Sequence, residues 1–383
     1  MHKRKVSVTT GTRAEYGILL PLLRRILKSK KLELSLIVTG SHLSKNHGMT
    51  INEIKKDGFK NFHTIKLSPK NDSTYEITLA LGNGISKFSK FFKKINPDIN
   101  IVLGDRDEML ASSIAAYHMN IPNVHIHGGD ISGGIDEYTR HAITKISNIH
   151  FPATKKSETR ILQMGENPKY VFLTGSPSLD DLDTTSFEKK SFEQKYKIKI
   201  NSDTIILIQH PVTTEINQTK KQIQNTLKAI GDVAHSTIAI APNSDASHKI
   251  IFKEMKKFTK KYNFFKMYTS FPRSDYLCLL RYCGALVGNS SSGIIEASYF
   301  NIPVINIGNR QKRRERNENV IDVDNNPKKI KLAILKSLGK KSKTRKYRNV
   351  YGSGKASQKI VKILENISLD KELLKKQYVI LND

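Results

Sequence analysis

The sequence predicts an α/β protein built from two successive doubly wound, Rossmann-like halves. Three observations carry this. Short strand-forming runs alternate with helical runs along nearly the whole chain, which is the mark of βαβ units and parallel sheets. Most strands end in polar turns rather than in hairpin signals. Residues 181–203, rich in Asp, Thr, Ser and Lys and poor in aliphatics, split the alternation into two sets and read as a linker region.

Taken in order, Lys5–Thr10 alternates as a strand, Gly11–Tyr16 reads as a turn, and Ile18–Leu27 reads as a largely buried helix. Pro21 suits that helix only near its start. Leu34–Thr39 is a second strand, ending in Gly40-Ser41-His42. Ser73-Thr74-Tyr75-Glu76 has the form of a capping box ahead of a helix to about Lys94, and Asn96-Pro97 stops it. Ile99–Leu103 is a strand ending in Gly104-Asp105-Arg106; Asp107 is placed to cap helix 108–118, and strand 123–127 follows. Strands at 149–154 and 170–174 complete a first domain, residues 1–180. Strands at 204–209, 236–241, 264–269, 284–288 and 303–307 then alternate with helices at 217–231, 247–262, 273–283 and 293–300 in a second domain, 204–345. Helices at about 327–338 and 356–366 close the chain. Two such halves imply a cleft between them as the place for a ligand.

Composition narrows the function. With 383 residues the chain is long enough for two domains and a large core. No run approaches the roughly 20 apolar residues of a membrane span. The opening Met-His-Lys-Arg-Lys leads into a strand rather than an apolar signal region, so the cytoplasm is the expected compartment. Cys278 and Cys283, five apart in one helix, do not share a face and read as core residues. Lys+Arg 64 against Asp+Glu 35 leaves a net +29, which brings polyanions into question. The basic residues are nevertheless scattered end to end, mostly as lysines at helical spacing, and no nucleic-acid motif accompanies them. The expected partner is an anionic small substrate, without specific nucleic-acid or membrane binding.

The chain is organised around residues 125–141. Strand 123–127 runs into Gly128, Gly129, Gly133 and Gly134, and the stretch carries Asp130, Asp136, Glu137, Arg140 and His141. Glycines at a strand end let backbone approach a ligand, and ionisable groups of both signs beside it point to acid–base chemistry. Asn289-Ser290-Ser291-Ser292-Gly293, between a strand and a helix, offers hydroxyls and free backbone N–H groups to a diphosphate. Glu296, one turn further, is placed to hold a ribose through its hydroxyls. Arg13, Arg106 and Arg310 each follow a strand, where the guanidinium fork suits phosphate oxygens. His210, held by the following proline at a strand end, is a candidate phosphate donor, the other reading being a partner for core polar groups. His125 and His127 share one strand face, but no third ligand at a metal-site spacing accompanies them, so no metal is expected. Neither G-x-G-x-x-G nor G-x-x-x-x-G-K-[ST] occurs, which argues against NAD or ATP as required cofactors.

Several of these motifs form one ordered set: Gly11-Thr12-Arg13-Ala14-Glu15-Tyr16, Gly40-Ser41-His42-Leu43, Gly104-Asp105-Arg106 and His125 through Asp136. Arg140–Lys145, His210–Thr214, Gly288–Gly293 and Asn306–Gln311 continue it. From about residue 5 to 365 the chain closely resembles the hydrolysing UDP-N-acetylglucosamine 2-epimerases of sialic-acid biosynthesis. The resemblance implies a GT-B fold, with the segment 346–383 returning toward the first domain. It also implies cofactor-free cleavage of UDP-N-acetylglucosamine to UDP and N-acetylmannosamine, through elimination to 2-acetamidoglucal and hydration. A homo-oligomer, dimer or tetramer, is implied as well. The alternative is the same reaction on a nucleotide-linked 2,4-diacetamido-2,4,6-trideoxyglucose, on the way to legionaminic acid; a GT-B glycosyltransferase is the rival from another class. By resemblance, Asp105, His127, Asp130, Asp136 and Arg140 carry the acid–base work. Arg13, His42, Arg106, His210, Asn243, Asp245, Ser290, Ser291, Glu296 and Arg310 hold the UDP-sugar. His127 stands where many relatives have Glu, and Asp130 where Glu is more usual, so the charge type at one acid–base position has changed.

Overall fold

The computed structural model describes residues 3–45, 48–67, 69, 71, 73–132, 136–182, 186–243, 245–338 and 349–380. Apart from residues 132–134, the residues before Asp183 and after Asn349 make one compact unit, and those between make the other.

The first unit opens with β1 (Arg4–Thr10), whose last five residues are buried. Helix α1 (Arg13–Lys28) starts at once. Thr12 caps it by accepting the Glu15 N–H, while the Glu15 carboxylate accepts the Thr12 N–H at 2.8 Å. This reciprocal capping box corrects the expected Gly11–Tyr16 turn. Pro21 therefore lies well inside α1, at the cost of one backbone hydrogen bond. β2 (Leu32–Thr39), α2 (Ile51–Lys56), β3 (Phe62–Ile65), α3 (Thr74–Ile95) and β4 (Ile99–Leu103) follow. Then come α4 (Asp107–His118), β5 (Asn123–Ile126), α5 (Asp136–Lys145), β6 (Ile149–Phe151) and α6 (Lys155–Gln163). Arg106 takes the position before α4 and makes no side-chain capping bond to it, so Asp107 is the first residue of the helix and not its cap. The expected strand at 170–174 is reduced to one bridge between Val171 and His150.

The six strands are all parallel in the order β3-β2-β1-β4-β5-β6. Their inner faces, with α1, enclose Val6, Val8, Leu19, Leu23, Ile101 and Ile126. Chain after Val350 completes this unit, since Ile360 and Leu364 of α13 (Ala356–Asn366) bury in the same core.

The second unit begins inside the stretch expected to be a linker. There α7 (Lys189–Tyr196) forms, and Phe192 and Tyr196 stack on Phe271 at 5.8 and 4.9 Å. These rings, with Lys195 and Tyr196 donating to the Asp275 carboxylate at 2.6 and 2.5 Å, hold a helix that composition alone disguises. β7 (Ile205–Ile208), α8 (Thr219–Val233), β8 (Thr237–Ile240), α9 (His248–Lys261), β9 (Phe265–Tyr268) and α10 (Arg273–Tyr282) alternate from there. β10 (Ala285–Gly288), α11 (Ser291–Ile295), β11 (Val304–Ile307), β12 (Val320–Val323) and α12 (Pro327–Ser337) complete it. The parallel order β12-β11-β10-β7-β8-β9 repeats the topology of the first sheet. Gly288 ends β10 at φ +129, and a Cβ there would lie 1.9 Å from the Ile208 carbonyl oxygen. Only glycine permits β7 and β10 to end so close together. Among the described residues no helix is long and apolar enough to cross a membrane.

Candidate active site

In a doubly wound sheet the strand order reverses at one point, and ligands bind at the strand ends there. In the first unit that point lies between β1 and β4. Asp105 follows β4 directly, and its carboxylate accepts a hydrogen bond from Arg140 of α5. Arg140 is 2% exposed, and its other terminal nitrogen donates to the Asp130 carbonyl at 2.7 Å. A guanidinium buried between a carboxylate and a carbonyl fixes both. Asp136 is the first residue of α5, one turn ahead of Arg140, where the helix dipole favours an anion.

Asp130 is itself buried, and its Oδ1 accepts the Ser157 hydroxyl at 2.5 Å. His42 is fully buried between Thr10 and Thr50, whose hydroxyls lie 3.1 and 2.8 Å from its two ring nitrogens. Burial pushes its pKa down to about 4, so the ring is neutral. Arg13 and Arg106 reach carboxylates of their own unit, Glu53 at 2.9 Å and Glu108 at 3.2 Å.

The histidine pair does not share a face. β5 ends at Ile126, and His127 takes left-handed backbone at φ +63, with its N–H donated to the Phe151 carbonyl at 3.1 Å. His125 is fully buried between the Gly104 carbonyl at 2.8 Å and the Thr144 hydroxyl at 3.0 Å. Burial lowers its pKa to about 3, and the neutral ring braces the strand end that presents Asp105. Among the described residues, no three His, Cys, Asp or Glu side chains gather as metal ligands would.

Glu15 stands at the same reversal point; sequence reading quoted it within its motif and gave it no role. Its carboxylate accepts the Gly11 N–H at 3.1 Å as well as the Thr12 N–H. Burial pushes its pKa up to about 8; nearby Arg106 pulls the other way and Glu108 adds to the rise.

The second unit reverses between β7 and β10. Asn289 joins the two strand ends: its carbonyl oxygen accepts the His210 N–H at 2.7 Å and its amide donates to the His210 carbonyl at 2.9 Å. The His210 ring nitrogen Nδ1 accepts the Asn243 N–H at 3.1 Å, so a neutral ring carries its proton on Nε2. Arg310 donates to the Asn289 carbonyl at 3.3 Å and pairs with Asp245 at 3.7 Å. One asparagine thus links His210, and through it Asn243, to Arg310 and Asp245. Sequence reading quoted Asn289 within its motif and gave it no role, although an amide between a strand and a serine-rich turn is a usable signal.

The serine turn departs from expectation in length. α11 begins at Ser291, not at 293, and runs for only five residues. Ser290 caps it by accepting the Ser292 N–H at 3.4 Å, while the Ser292 hydroxyl meets that of Tyr276 at 2.5 Å. Ser291 is its first residue, so its backbone N–H is among those a short helix leaves without an internal partner. Glu296 closes α11 and accepts a hydrogen bond from Arg273, the first residue of α10. Arg273, like Glu15 and Asn289, is a residue to which sequence reading gave no role.

Comparison with known proteins agrees with this layout. Residues 24–365 match the family described as UDP-N-acetylglucosamine 2-epimerase. The chain is 38% identical, over 97% of its length and 98% of the relative's, to a protein of Legionella pneumophila named UDP-N,N'-diacetylbacillosamine 2-epimerase (hydrolyzing). It is 34% identical to the GDP/UDP-N,N'-diacetylbacillosamine 2-epimerase (hydrolyzing) of Campylobacter jejuni, across 99% of this chain and 100% of that one. The crystal structure of the UDP-GlcNAc 2-epimerase from Neisseria meningitidis bound to UDP-GlcNAc aligns with a TM-score of 0.80 at 20% identity, covering 94% of this chain and 99% of that one. The fold is therefore GT-B, and the chain belongs to the UDP-N-acetylglucosamine 2-epimerase family of enzymes.

Proposed function

We propose that this chain is a hydrolysing nucleotide-sugar 2-epimerase, which releases UDP from a UDP-linked 2-acetamido sugar and delivers the free sugar inverted at C2. The observation that carries the reading is the Asp105–Arg140 pair at the strand-order reversal, with Asp136 on the same helix as Arg140. Elimination to a 2-acetamidoglucal needs a base at C2–H and an anion-stabilising site for the departing diphosphate. Asp105 and Asp136 serve the proton transfers, with His127 as a further acid–base group. Arg140 orients Asp105. UDP is a good leaving group, so Arg13, Arg106, Arg310, His210 and the N–H groups at Ser290 and Ser291 suffice to hold it. Glu296 takes the ribose hydroxyls; Asn243 and Asp245 support His210 and Arg310. His42 and Asp130, bonded inward, act as braces rather than as substrate contacts.

For the sugar, this reading ranks UDP-N,N'-diacetylbacillosamine first, because two relatives matched over nearly full length carry that name. UDP-N-acetylglucosamine is the second reading, supported by the description of the family. The test incubates the protein with each nucleotide sugar in deuterated water and follows the products by proton NMR. Free UDP, inversion at C2 and deuterium at that carbon are expected. A product still bearing its nucleotide marks a non-hydrolysing epimerase, and intact substrate in the absence of an acceptor points to a glycosyltransferase.

A further inference from the structure

The residues after Asn366 lie beyond the family match, which ends at 365, yet they are bonded closely into the first unit. Asp370 caps the short helix α14 (Lys371–Leu374) by accepting the Leu373 N–H at 3.0 Å. Leu373 is buried, and its carbonyl accepts the Asn148 amide at 2.8 Å. The chain then runs on to residue 380 as a strap. The Val379 N–H donates to the Gly165 carbonyl at 3.0 Å, and the Tyr378 ring covers Gly165 so closely that a Cβ would lie 2.3 Å from it.

Lys376 is the inward-facing residue of that strap. Its ammonium donates to the carbonyls of Thr144 at 3.2 Å and Ser147 at 2.5 Å, and pairs with the Glu166 carboxylate at 2.6 Å. Those carbonyls stand at and just past the C-terminal end of α5, where the helix dipole favours a cation. Glu166, 2% exposed, also accepts Lys145 from the last turn of α5 at 2.8 Å and His150 from β6 at 3.0 Å. Burial alone would raise the Glu166 pKa, but the hydrogen bond and charge of His150, the charge of Lys376 and the Lys145 hydrogen bond hold it down at about 2. One buried carboxylate thus ties strap, helix and sheet together.

We propose that Lys376 is a positioning residue, through which the C-terminal strap sets the axial placement of α5 and hence the Arg140–Asp105 pair. This rests on the reading of Asp105 and Asp136 as the proton-transfer groups. α5 is only ten residues long, so a shift at its last turn is carried to Arg140, one turn earlier. The groups facing Lys376 are Glu166, Lys145 and His150 from the body of the unit, and Lys145 lies over the Tyr378 ring of the strap, 5.4 Å from its centroid. Burial pushes the lysine down to about 8, with Glu166 pulling the other way, so its charge is lost as pH rises past that point.

The test compares wild type with Lys376→Met and Lys376→Arg, measuring UDP release, UDP affinity and amide hydrogen exchange across 136–147. In Lys376→Met, kcat should fall about tenfold while KM and UDP affinity hold within about twofold, because the loss is one of alignment. The α5 amides should exchange faster. Lys376→Arg, charged at any working pH, should restore turnover and remove the fall of wild-type kcat above about pH 8. Wild-type turnover in a folded Lys376→Met, unchanged exchange in α5, or equal losses of kcat and UDP affinity would each overturn the proposal. Should that variant not fold, Tyr378→Ala loosens the strap without stranding Glu166, and unchanged α5 exchange there overturns it equally. If wild type releases UDP from neither nucleotide sugar, the proposed function falls, and the exchange experiment still decides the role of the strap.

Discussion

The two units reverse strand order at the same place in their sheets, yet they fill it with different chemistry. Between β1 and β4 the structure sets carboxylates and guanidiniums against one another: Asp105 on Arg140, Glu108 on Arg106, Glu53 on Arg13. Between β7 and β10 it sets an asparagine whose amide bridges the strand ends, a serine cap and a tyrosine hydroxyl, with charge kept to the Arg310–Asp245 and Arg273–Glu296 pairs around it. Identical topology supplies the location, and residue type decides what is done there. A positioned acid such as Asp105 suits proton transfer, and neutral donors beside a few arginines suit a diphosphate that must be gripped and let go.

Four substitutions sharpen or break this contrast. Asp105→Asn has the largest expected effect: turnover falls by about a thousandfold, as for loss of a general acid–base group, while UDP binding by calorimetry stays within a few-fold. Turnover at the wild-type rate would remove the first unit's chemical role. Arg310→Ala acts on the other side, weakening UDP binding by about tenfold or more, as expected for a lost charged hydrogen bond. Unchanged UDP affinity would take Arg310 out of the nucleotide site.

Asn289→Ala removes two inter-strand hydrogen bonds at a buried position. Urea unfolding should show a loss of about 2 kcal/mol together with weaker UDP binding. A stability loss with UDP affinity intact would reduce Asn289 to scaffolding. The smallest effect is expected from Glu15→Gln, which keeps an acceptor for the Gly11 and Thr12 N–H groups. Wild-type Glu15, with its pKa raised from 4.5 to about 8, holds a proton that the unfolded chain releases. Its contribution to stability is therefore present below about pH 4.5 and lost as pH rises toward 8. The melting temperature of Glu15→Gln relative to wild type should accordingly climb between about pH 5 and pH 8, and a constant difference would show that the carboxyl ionises freely.

Much of the fold was legible because both sheets are buried on two faces, so strands such as Ile99–Leu103 and Ala285–Gly288 read as apolar runs ending in polar turns. What escaped was short, polar or peripheral. β12 exposes both central residues, α6 carries four charged residues in nine, and α7 declares itself through contacts with distant Phe271 and Asp275. Among candidate site residues, sequence reading named those with distinctive chemistry, such as Asp105 and Arg310. It could not see that His42 and Asp130 would turn inward, because a threonine or serine at the right distance is supplied by another element. Asn289 and Arg273 were passed over for a related reason: their partners, His210 and Glu296, lie 79 and 23 residues away.

The left-handed backbone at His127 limits what mutagenesis can teach there. Asn, Asp and Gly enter that conformation readily, whereas Val, Ile and Thr would strain the main chain before their side chains were ever tested. A randomised library at this codon would therefore lose β-branched members for reasons unrelated to proton transfer. The Asn and Gly variants are the fair controls for what the imidazole itself contributes.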